Sequence, residues 1–308
     1  MRKILPRKIK QQILRVGFLL LASGGLAMLQ AATSETPTVG SAEKRIYKKT
    51  PQGELALYIN FPPGWQAQDK RPAVVFFFGG GWTSGNVDQF KTKAEYLATR
   101  GMVAARADYR IKSRHGTTMD KCVEDGKSAI RWVRQNAAKL GVDSNRIVAA
   151  GGSAGGHVAA STFMVTGCEA EGEDHSISSQ PNLLILFNPV LDVTEPKIMQ
   201  HYAANKPAAA LSPNLHLSQQ TPPTVLFFGT KDGLLAQSKT YLQQAKQLGF
   251  EARLYTAEGQ GHGFFNKEPW ASKTLYLADE FLAAHGYTQG KPTLTTSPDA
   301  KMTEVSDK

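Results

Sequence analysis

A chain of 308 residues can form one large α/β domain or two small ones. Its content of 41% hydrophobic and 20% charged residues is ordinary for a globular protein with a sizeable core. The net charge of +10 suggests nucleic-acid binding, but six of these charges lie in Met1–Arg15, and the other +4 is unremarkable. No run of Lys and Arg with interleaved aromatic residues occurs elsewhere in the sequence, which argues against a nucleic-acid partner.

Residues 1–32 have the pattern of an export signal. A basic stretch precedes the 14-residue apolar run Val16–Leu29, and the small residues Ala31, Ala32 and Thr33 follow where a peptidase could cut. The run is shorter than the about 20 residues of a membrane-spanning helix. We therefore expect a cleaved signal peptide and a secreted or periplasmic protein with no stable membrane partner. An uncleaved N-terminal anchor is the alternative.

After a polar linker over residues 33–43, the sequence predicts one domain over residues 44–287. Lys44–Thr50 and Leu55–Phe61 alternate polar and apolar residues around a turn, which predicts an antiparallel hairpin. Six further strand patterns follow, several of them continuous apolar runs typical of strands buried on both faces: Ala73–Phe78, Met102–Tyr109, Arg146–Ala150, Leu183–Phe187, Thr224–Phe228 and Glu251–Thr256. Helical patterns alternate with them at Lys91–Arg100, Met119–Leu140, Val158–Val165, Leu234–Leu248 and Ala271–His285. This alternation indicates an α/β fold with a mostly parallel central sheet, helices on both faces and the hairpin at one edge.

Two segments carry no strand pattern. Residues 193–220 are expected to form a small cap segment over the site. Residues 288–308 are polar and poor in apolar side chains, so we expect a disordered tail there.

Ser153 lies between a strand pattern and a helical pattern, within Gly151-Gly152-Ser153-Ala154-Gly155. The pattern G-x-S-x-G at a strand-to-helix turn is the nucleophile elbow. Its serine has strained backbone angles, and its glycines leave room for the neighbouring strand and helix. The start of the helix also directs free N–H groups at the reacting oxygen. We interpret Ser153 as a catalytic nucleophile; a glycine-rich structural turn is the alternative.

A catalytic serine needs a base, and the base needs an orienting acid; on this architecture the chain order is Ser, acid, His. His262 lies in a glycine-flanked turn just past a strand, which places it at the carboxyl edge of the sheet where ligands bind. Asp232 follows the strand Thr224–Phe228, and its spacing to His262 favours it as the acid. Asp192, which follows an earlier strand, is the alternative.

Negative charge that develops on a substrate oxygen needs backbone N–H donors. Ala154, the residue after the nucleophile, provides one, and Gly79-Gly80-Gly81 follows the strand Ala73–Phe78 at the place where the others are expected. A flexible glycine turn is the alternative interpretation of these three residues.

The sequence resembles α/β-hydrolases of the hormone-sensitive-lipase-like esterase group. Within it the sequence is most similar to carbohydrate esterases described as bifunctional feruloyl and acetyl-xylan esterases. The resemblance spans nearly all of Lys44–Gly286 and rests on six stretches: Phe78–Trp82, Asp108–Arg110, Ala129–Val133, Gly151–His157, Gly229–Asp232 and Gly261–Gly263. It implies the α/β-hydrolase fold and ester hydrolysis. It also implies the triad Ser153, Asp232 and His262, with Gly80, Gly81 and Ala154 as oxyanion donors.

The chain departs from this group at Phe78, where the family usually has a histidine that steadies the glycine loop by hydrogen bonding. Phe78 must hold the loop by packing instead. Gly152 is a second difference, since many lipase-like members carry an acidic residue there. His157, one turn into the elbow helix, is expected to be a packing or supporting residue.

These features predict a secreted serine esterase that needs no cofactor, and no spacing of Cys and His suits a metal. Its expected partner is an ester substrate, and the favoured one is a carbohydrate that carries acetyl or feruloyl groups. Trp82, Phe264 and Phe265 are the candidate substrate-binding residues, because their rings could stack on a sugar or an aromatic acyl group. Ordinary core or pocket walls are the alternative.

Two other functions are weighed against this one. A serine peptidase of the prolyl-oligopeptidase type normally carries a large extra N-terminal domain, whereas only about forty residues precede the hydrolase region here. A non-catalytic hydrolase-like binding protein usually lacks a member of the triad.

Cys122 and Cys168 are the two cysteines of the chain. Export permits oxidation, and neighbouring helices could bring the two residues together, so we predict a disulfide between them. Two free buried thiols are the alternative.

Overall fold

The fold is described from a computed structural model that places residues 41–200 and 204–305. The predicted signal peptide and nearly all of the predicted linker lie outside the described residues. None of the helices within the described part is long and apolar enough to cross a membrane.

Nine strands of the described residues form one sheet. In chain order they are β1 Glu43–Thr50, β2 Gly53–Asn60, β3 Arg71–Phe77, β4 Val103–Ala107, β5 Val142–Gly152, β6 Leu183–Phe187, β7 Thr224–Gly229, β8 Ala252–Ala257 and β9 Met302–Glu304. The order across the sheet is β1-β2-β4-β3-β5-β6-β7-β8-β9. Neighbours from β4 to β8 are parallel, whereas β1–β2, β2–β4 and β8–β9 are antiparallel. The mostly parallel sheet with a hairpin at one edge is therefore confirmed.

Helices cover both faces of this sheet. They are α1 Lys91–Thr99, α2 Lys112–His115, α3 Met119–Gln135, α4 Ala137–Leu140, α5 Ala154–Met164, α6 Pro196–Met199, α7 Leu235–Leu248 and α8 Trp270–Ala284, with short 3₁₀ helices at Val87–Phe90, Ala208–Leu211, Pro213–Leu215 and Phe264–Asn266. Alternate residues of β3 enter different cores. Val75 and Phe77 pack with α3, α5 and α7, while Val74 and Phe76 pack with α1 and α8. Burial on both faces explains why the central strands are continuous apolar runs.

The predicted helix over Met119–Leu140 is divided at Asn136. The side-chain amide of Asn136 donates to the carbonyl of Trp132 at 2.9 Å, and its backbone leaves the helical angles, with φ −98° and ψ 13°. Such local side-chain hydrogen bonds compete with the helical ladder.

The prediction of a disordered tail is wrong for residues 288–305. Thr288 donates to the carboxylate of Asp279 at 2.7 Å, and the N–H of Val305 donates to the carbonyl of Leu254 at 2.7 Å. Between them β9 pairs with the edge strand β8. An edge strand offers free backbone groups, so a short polar segment can add to it through main-chain hydrogen bonds alone. Composition does not reveal such pairing.

This topology brings five loops together at one edge of the sheet. The loops after β3, β5, β6, β7 and β8 all leave from carboxyl ends of parallel strands. They carry, in order, the glycine loop, Ser153, Asn188, Asp232 and His262. This is the edge where open α/β sheets bind their ligands.

Candidate active site

Ser153 forms a strained turn between β5 and α5. Its backbone has φ 54° and ψ −120°, a conformation that costs roughly 1–3 kcal/mol in a non-glycine residue. A Cβ on Gly155 would lie 2.1 Å from the carbonyl oxygen of Phe77, and a Cβ on Gly152 would lie 2.4 Å from the ring of Phe265. A side chain at position 155 would thus collide with backbone, and one at position 152 would have to displace the ring of Phe265. The N–H of Ser153 donates to the carbonyl of Phe187 at 2.9 Å, which ties the turn to β6.

A chain of hydrogen bonds joins Ser153, His262 and Asp232. Nε2 of His262 lies 2.8 Å from Oγ of Ser153, and Nδ1 lies 2.9 Å from Oδ2 of Asp232. The carboxylate of Asp232 is buried and accepts the Nδ1 proton, so the lone pair on Nε2 faces the hydroxyl. This arrangement can remove a proton from Ser153 and stabilise the imidazolium that results.

The geometry decides between the two candidate acids. Oδ1 of Asp192 accepts from the N–H and the hydroxyl of Thr194 and from the hydroxyl of Ser212. Asp192 thus organises the cap segment, residues 193–220, whereas Asp232 bonds to His262.

Asn188 is a supporting residue that our sequence analysis missed. It is fully buried at the end of β6, with φ 45°, and its amide donates to Oδ2 of Asp232. The side-chain oxygen Oδ1 of Asn188 accepts from the N–H of Gly263 at 3.3 Å, so Asn188 joins the loops that carry Asp232 and His262. The available signal was its place directly after a buried strand that neighbours β7.

Gly80, Gly81 and Ala154 line the same cavity as Ser153. Within residues 41–200 and 204–305, no acceptor is paired with the N–H groups of these three residues. The glycine loop is held from behind, because the N–H of Gly79 donates to the side chain of Gln89 at 2.6 Å. Unpaired N–H groups beside a nucleophile are what an oxyanion site requires.

Phe78 anchors the glycine loop by packing, as the sequence requires. Its ring stacks on Tyr109 with centroids 4.2 Å apart, and the hydroxyl of Tyr109 donates to the carbonyl of Phe78 at 2.5 Å. The guanidinium of Arg114 lies 5.9 Å from the same ring. Aromatic stacking and a backbone hydrogen bond thus hold the start of the glycine loop.

His157 links the glycine loop to the cap segment. The indole N–H of Trp82 donates to Nδ1 of His157 at 3.2 Å, and Nε2 of His157 donates to the carbonyl of Leu211 at 2.7 Å. Burial lowers the pKa of His157 to about 4. The imidazole is therefore neutral at physiological pH, which the acceptor role of Nδ1 requires.

The cavity above Ser153 has a volume of about 470 Å³. Its walls are apolar at Trp82, Val190, Ile198 and Leu234, whereas Glu195 and Lys197 of the cap segment place charges at its rim. Such a site accepts a small molecule whose parts differ in polarity.

Of the three aromatic residues predicted to bind substrate, Trp82 alone lines this cavity. The assignments of Phe264 and Phe265 are wrong. Phe264 packs against Trp270, with centroids 5.9 Å apart. Phe265 stacks between Phe90 and Phe187 in the core. The turn after His262 leads back into the protein, so Phe265 fills the space beside Gly152 of the elbow.

A larger cavity of about 780 Å³ lies near the amino ends of β6 and β7. Arg134 lines this cavity, and its guanidinium donates hydrogen bonds to the backbone carbonyls of Ser144, Ser178 and Gln180. Its lining contains neither the serine nor the histidine described above.

The predicted disulfide is contradicted, since Cys122 and Cys168 are free and buried. The thiol of Cys122 donates to the carbonyl of Arg110 at 3.0 Å, at the start of α3. The residue after Cys168 is Glu169, which forms an ion pair with Lys127. Lys127 lies further along α3 than Cys122 does. Burial raises the pKa of both thiols, to about 11 for Cys168, so neither is a reactive thiolate. Among the described residues, no group of His, Cys, Asp and Glu could hold a metal ion.

Comparison with known proteins places the chain among esterases. The family model BD-FAE matches residues 57–200. Esterase 2 of Thermogutta terrifontis, in its apo form, is 47% identical, with 83% of this chain and 98% of that chain covered and a TM-score of 0.78. The same esterase has been solved with propionate bound, with butyrate bound and phosphorylated by paraoxon.

Two curated relatives match over part of their length. The carboxylesterase NlhH of Mycobacterium tuberculosis is 35% identical over 35% of this chain and 33% of its own. The probable isoprenylcysteine alpha-carbonyl methylesterase ICMEL1 of Arabidopsis thaliana is 27% identical over 70% of this chain and 50% of its own. This chain thus spans a third to a half of these two relatives.

The low pKa of His157 predicts a specific loss of stability in acid. The ordinary histidine pKa is 6.5, so the unfolded chain binds the proton more tightly than the folded protein does. The contribution of His157 is complete above pH 6.5 and is lost as the pH falls towards 4. Between pH 7 and pH 5 the free energy of unfolding should fall by about 2 kcal/mol more in the wild type than in His157→Asn, which cannot take up a proton there. Urea unfolding at both pH values measures this difference, and equal losses in the two proteins would refute the assignment.

Proposed function

The chain belongs to the α/β-hydrolase esterases, and we propose that it hydrolyses carboxylic esters by nucleophilic catalysis at Ser153. The observation that carries the proposal is the hydrogen-bond chain from Asp232 through His262 to Ser153, with contacts of 2.9 and 2.8 Å at the base of an open cavity. A hydroxyl that hydrogen-bonds to an oriented imidazole is an activated nucleophile.

The reaction proceeds in two steps through an acyl-enzyme. His262 takes the proton of Ser153 as its Oγ attacks the ester carbonyl, and the N–H groups of Gly80, Gly81 and Ala154 stabilise the oxyanion. The C–O bond to the alcohol then breaks, and His262 gives that alcohol the proton. In the second step His262 deprotonates a water molecule, which attacks the acyl carbon. Release of the carboxylic acid returns the proton to Ser153.

We propose that the natural ester has a short acyl group and a polar alcohol, of which acylated polysaccharides are the leading candidate. The apolar walls at Trp82, Val190 and Leu234 suit a small acyl group, and the charged rim at Glu195 and Lys197 disfavours a long hydrocarbon chain. Propionate and butyrate, bound in the similar Thermogutta esterase, are acids of this size. Export, which the first 32 residues predict, would bring the enzyme to such polymers.

Replacement of the nucleophile tests the proposed function. Ser153→Ala should lower turnover of p-nitrophenyl acetate by several orders of magnitude, up to ~10⁶, while the unfolding midpoint changes little. The wild type should also gain the mass of one diethylphosphoryl group in place of the Ser153 hydroxyl proton after treatment with paraoxon, with release of p-nitrophenol, and the variant should not. Hydrolysis or labelling that survives in Ser153→Ala would sink the proposal.

The two candidate acids provide a matched pair of variants. Asp232→Asn should reduce kcat by roughly 10⁴, because an amide favours the wrong tautomer of His262. Asp192→Asn keeps an acceptor for Thr194 and Ser212, and kcat should stay within about tenfold of the wild type. A larger loss in Asp192→Asn than in Asp232→Asn would show that the acid is assigned to the wrong residue.

The substrate proposal is tested by acyl-chain length. The kcat/KM for p-nitrophenyl octanoate should be at least roughly tenfold below the values for the acetate and butyrate esters. Acetate or ferulate should also be released from a substituted xylan or a related glycan, measured by chromatography. A preference for octanoate or for emulsified triglyceride would refute the short-acyl proposal and leave ester hydrolysis itself untouched.

A further inference from the structure

Behind Ser153 lies a buried lysine to which the proposed mechanism gives no task. Lys93, in the first turn of α1, is only 6% exposed. Its ammonium lies 5.7–6.0 Å from the ring centroids of Phe90, Phe187 and Phe265. Within the described residues it forms no ion pair shorter than 4.0 Å. Burial lowers its pKa to about 8, an effect that Glu268 partly opposes. A methionine would fill the same space without burying an unpaired charge, which is costly. The presence of a lysine here therefore needs an explanation.

The ammonium holds the loop of the catalytic base. Nζ of Lys93 donates to the carbonyl of Phe265 at 3.1 Å, three residues after His262. The ring of Phe265 in turn lies against Gly152, where a Cβ would come within 2.4 Å of it. Lys93 therefore contacts the residue that lies between the turn that carries His262 and the turn that carries Ser153.

Gln89, one helical turn before Lys93, holds the other loop of the site. Its Oε1 accepts from the N–H of Gly79 at 2.6 Å. Gly79 itself lies so close to the elbow that a Cβ there would be 2.8 Å from the carbonyl oxygen of Gly152. The short segment from Gln89 to Lys93 thus makes side-chain contacts with both loops that must meet at Ser153.

We propose that Gln89 and Lys93 are a pair of positioning residues that hold the oxyanion loop and the His262 loop in register with Ser153. The inference rests on the proposed function of that site. Displacement of a reacting group by about 1 Å is enough to reduce turnover by roughly a hundredfold. A pair that fixes two loops from one short segment is therefore expected to act on kcat and to leave KM nearly unchanged.

Three variants and one control test this pair. Lys93→Met retains the packing and removes the donor, and Gln89→Leu removes the acceptor. Gln89→Glu keeps an acceptor for Gly79. Lys91→Met is the control, because Lys91 is exposed on the same helix. With p-nitrophenyl acetate at 25 °C, Lys93→Met and Gln89→Leu should lower kcat roughly 10- to 100-fold with little change in KM. Gln89→Glu and Lys91→Met should stay within about threefold of the wild type.

Amide hydrogen exchange supplies a readout that needs no turnover. Exchange of the Gly79 amide should accelerate in Gln89→Leu, and exchange of the bonded amides of Gly263 and Lys267 should accelerate in Lys93→Met, with neither change in Lys91→Met. The inference is overturned if both variants keep kcat within about twofold of the wild type, or if exchange in both loops is unchanged. An inactive wild type would instead refute the proposed function. The exchange data would then still show whether Gln89 and Lys93 hold the two loops in place.

Discussion

The backbone conformation at Ser153 is the constraint on which the rest of the site depends. A φ of 54° in a residue with a side chain is unfavourable, so the surrounding structure must enforce it. It does so by close approach: the carbonyl of Phe77 occupies the place of a side chain on Gly155, and the ring of Phe265 occupies the place of one on Gly152. The buried strands form the rigid frame that maintains this strained conformation. As a consequence, the hydroxyl of Ser153 is exposed above the sheet.

Loops alone could not keep this geometry, and each one has an anchor in the core. Phe78 stacks on Tyr109, and Trp82 is bonded to a neutral His157. Asn188 connects the loops of Asp232 and His262. In every case the anchor is buried, where a hydrogen bond or a ring contact competes with little water. Phe78 anchors the glycine loop both by stacking and by the hydrogen bond that its carbonyl accepts from Tyr109.

The polar groups of the site come from two different parts of the fold, the edge of the sheet and the cap segment. Groups that handle protons and the oxyanion belong to the sheet edge, where strand ends set their positions. The charges of Glu195 and Lys197 belong to the cap segment, which Asp192 organises through Thr194 and Ser212. In the proposed reaction, the chemistry therefore belongs to the strand ends and the choice of substrate to a short connecting segment, as is common for sites carried by one fold.

What the sequence determined by itself is local. Apolar runs marked the central strands, and glycine spacing marked the elbow at Ser153 and the turn at His262, because strand burial and tight turns depend on neighbouring residues. The tertiary structure decided whatever depends on distant residues. Nε2 of His262 meets a serine 109 positions earlier, and the order of strands chose Asp232 over Asp192 as its partner. The same long-range packing directed Phe265 into the core, left Cys122 and Cys168 as free thiols and added β9 through backbone hydrogen bonds. No pattern of neighbouring side chains encodes such contacts.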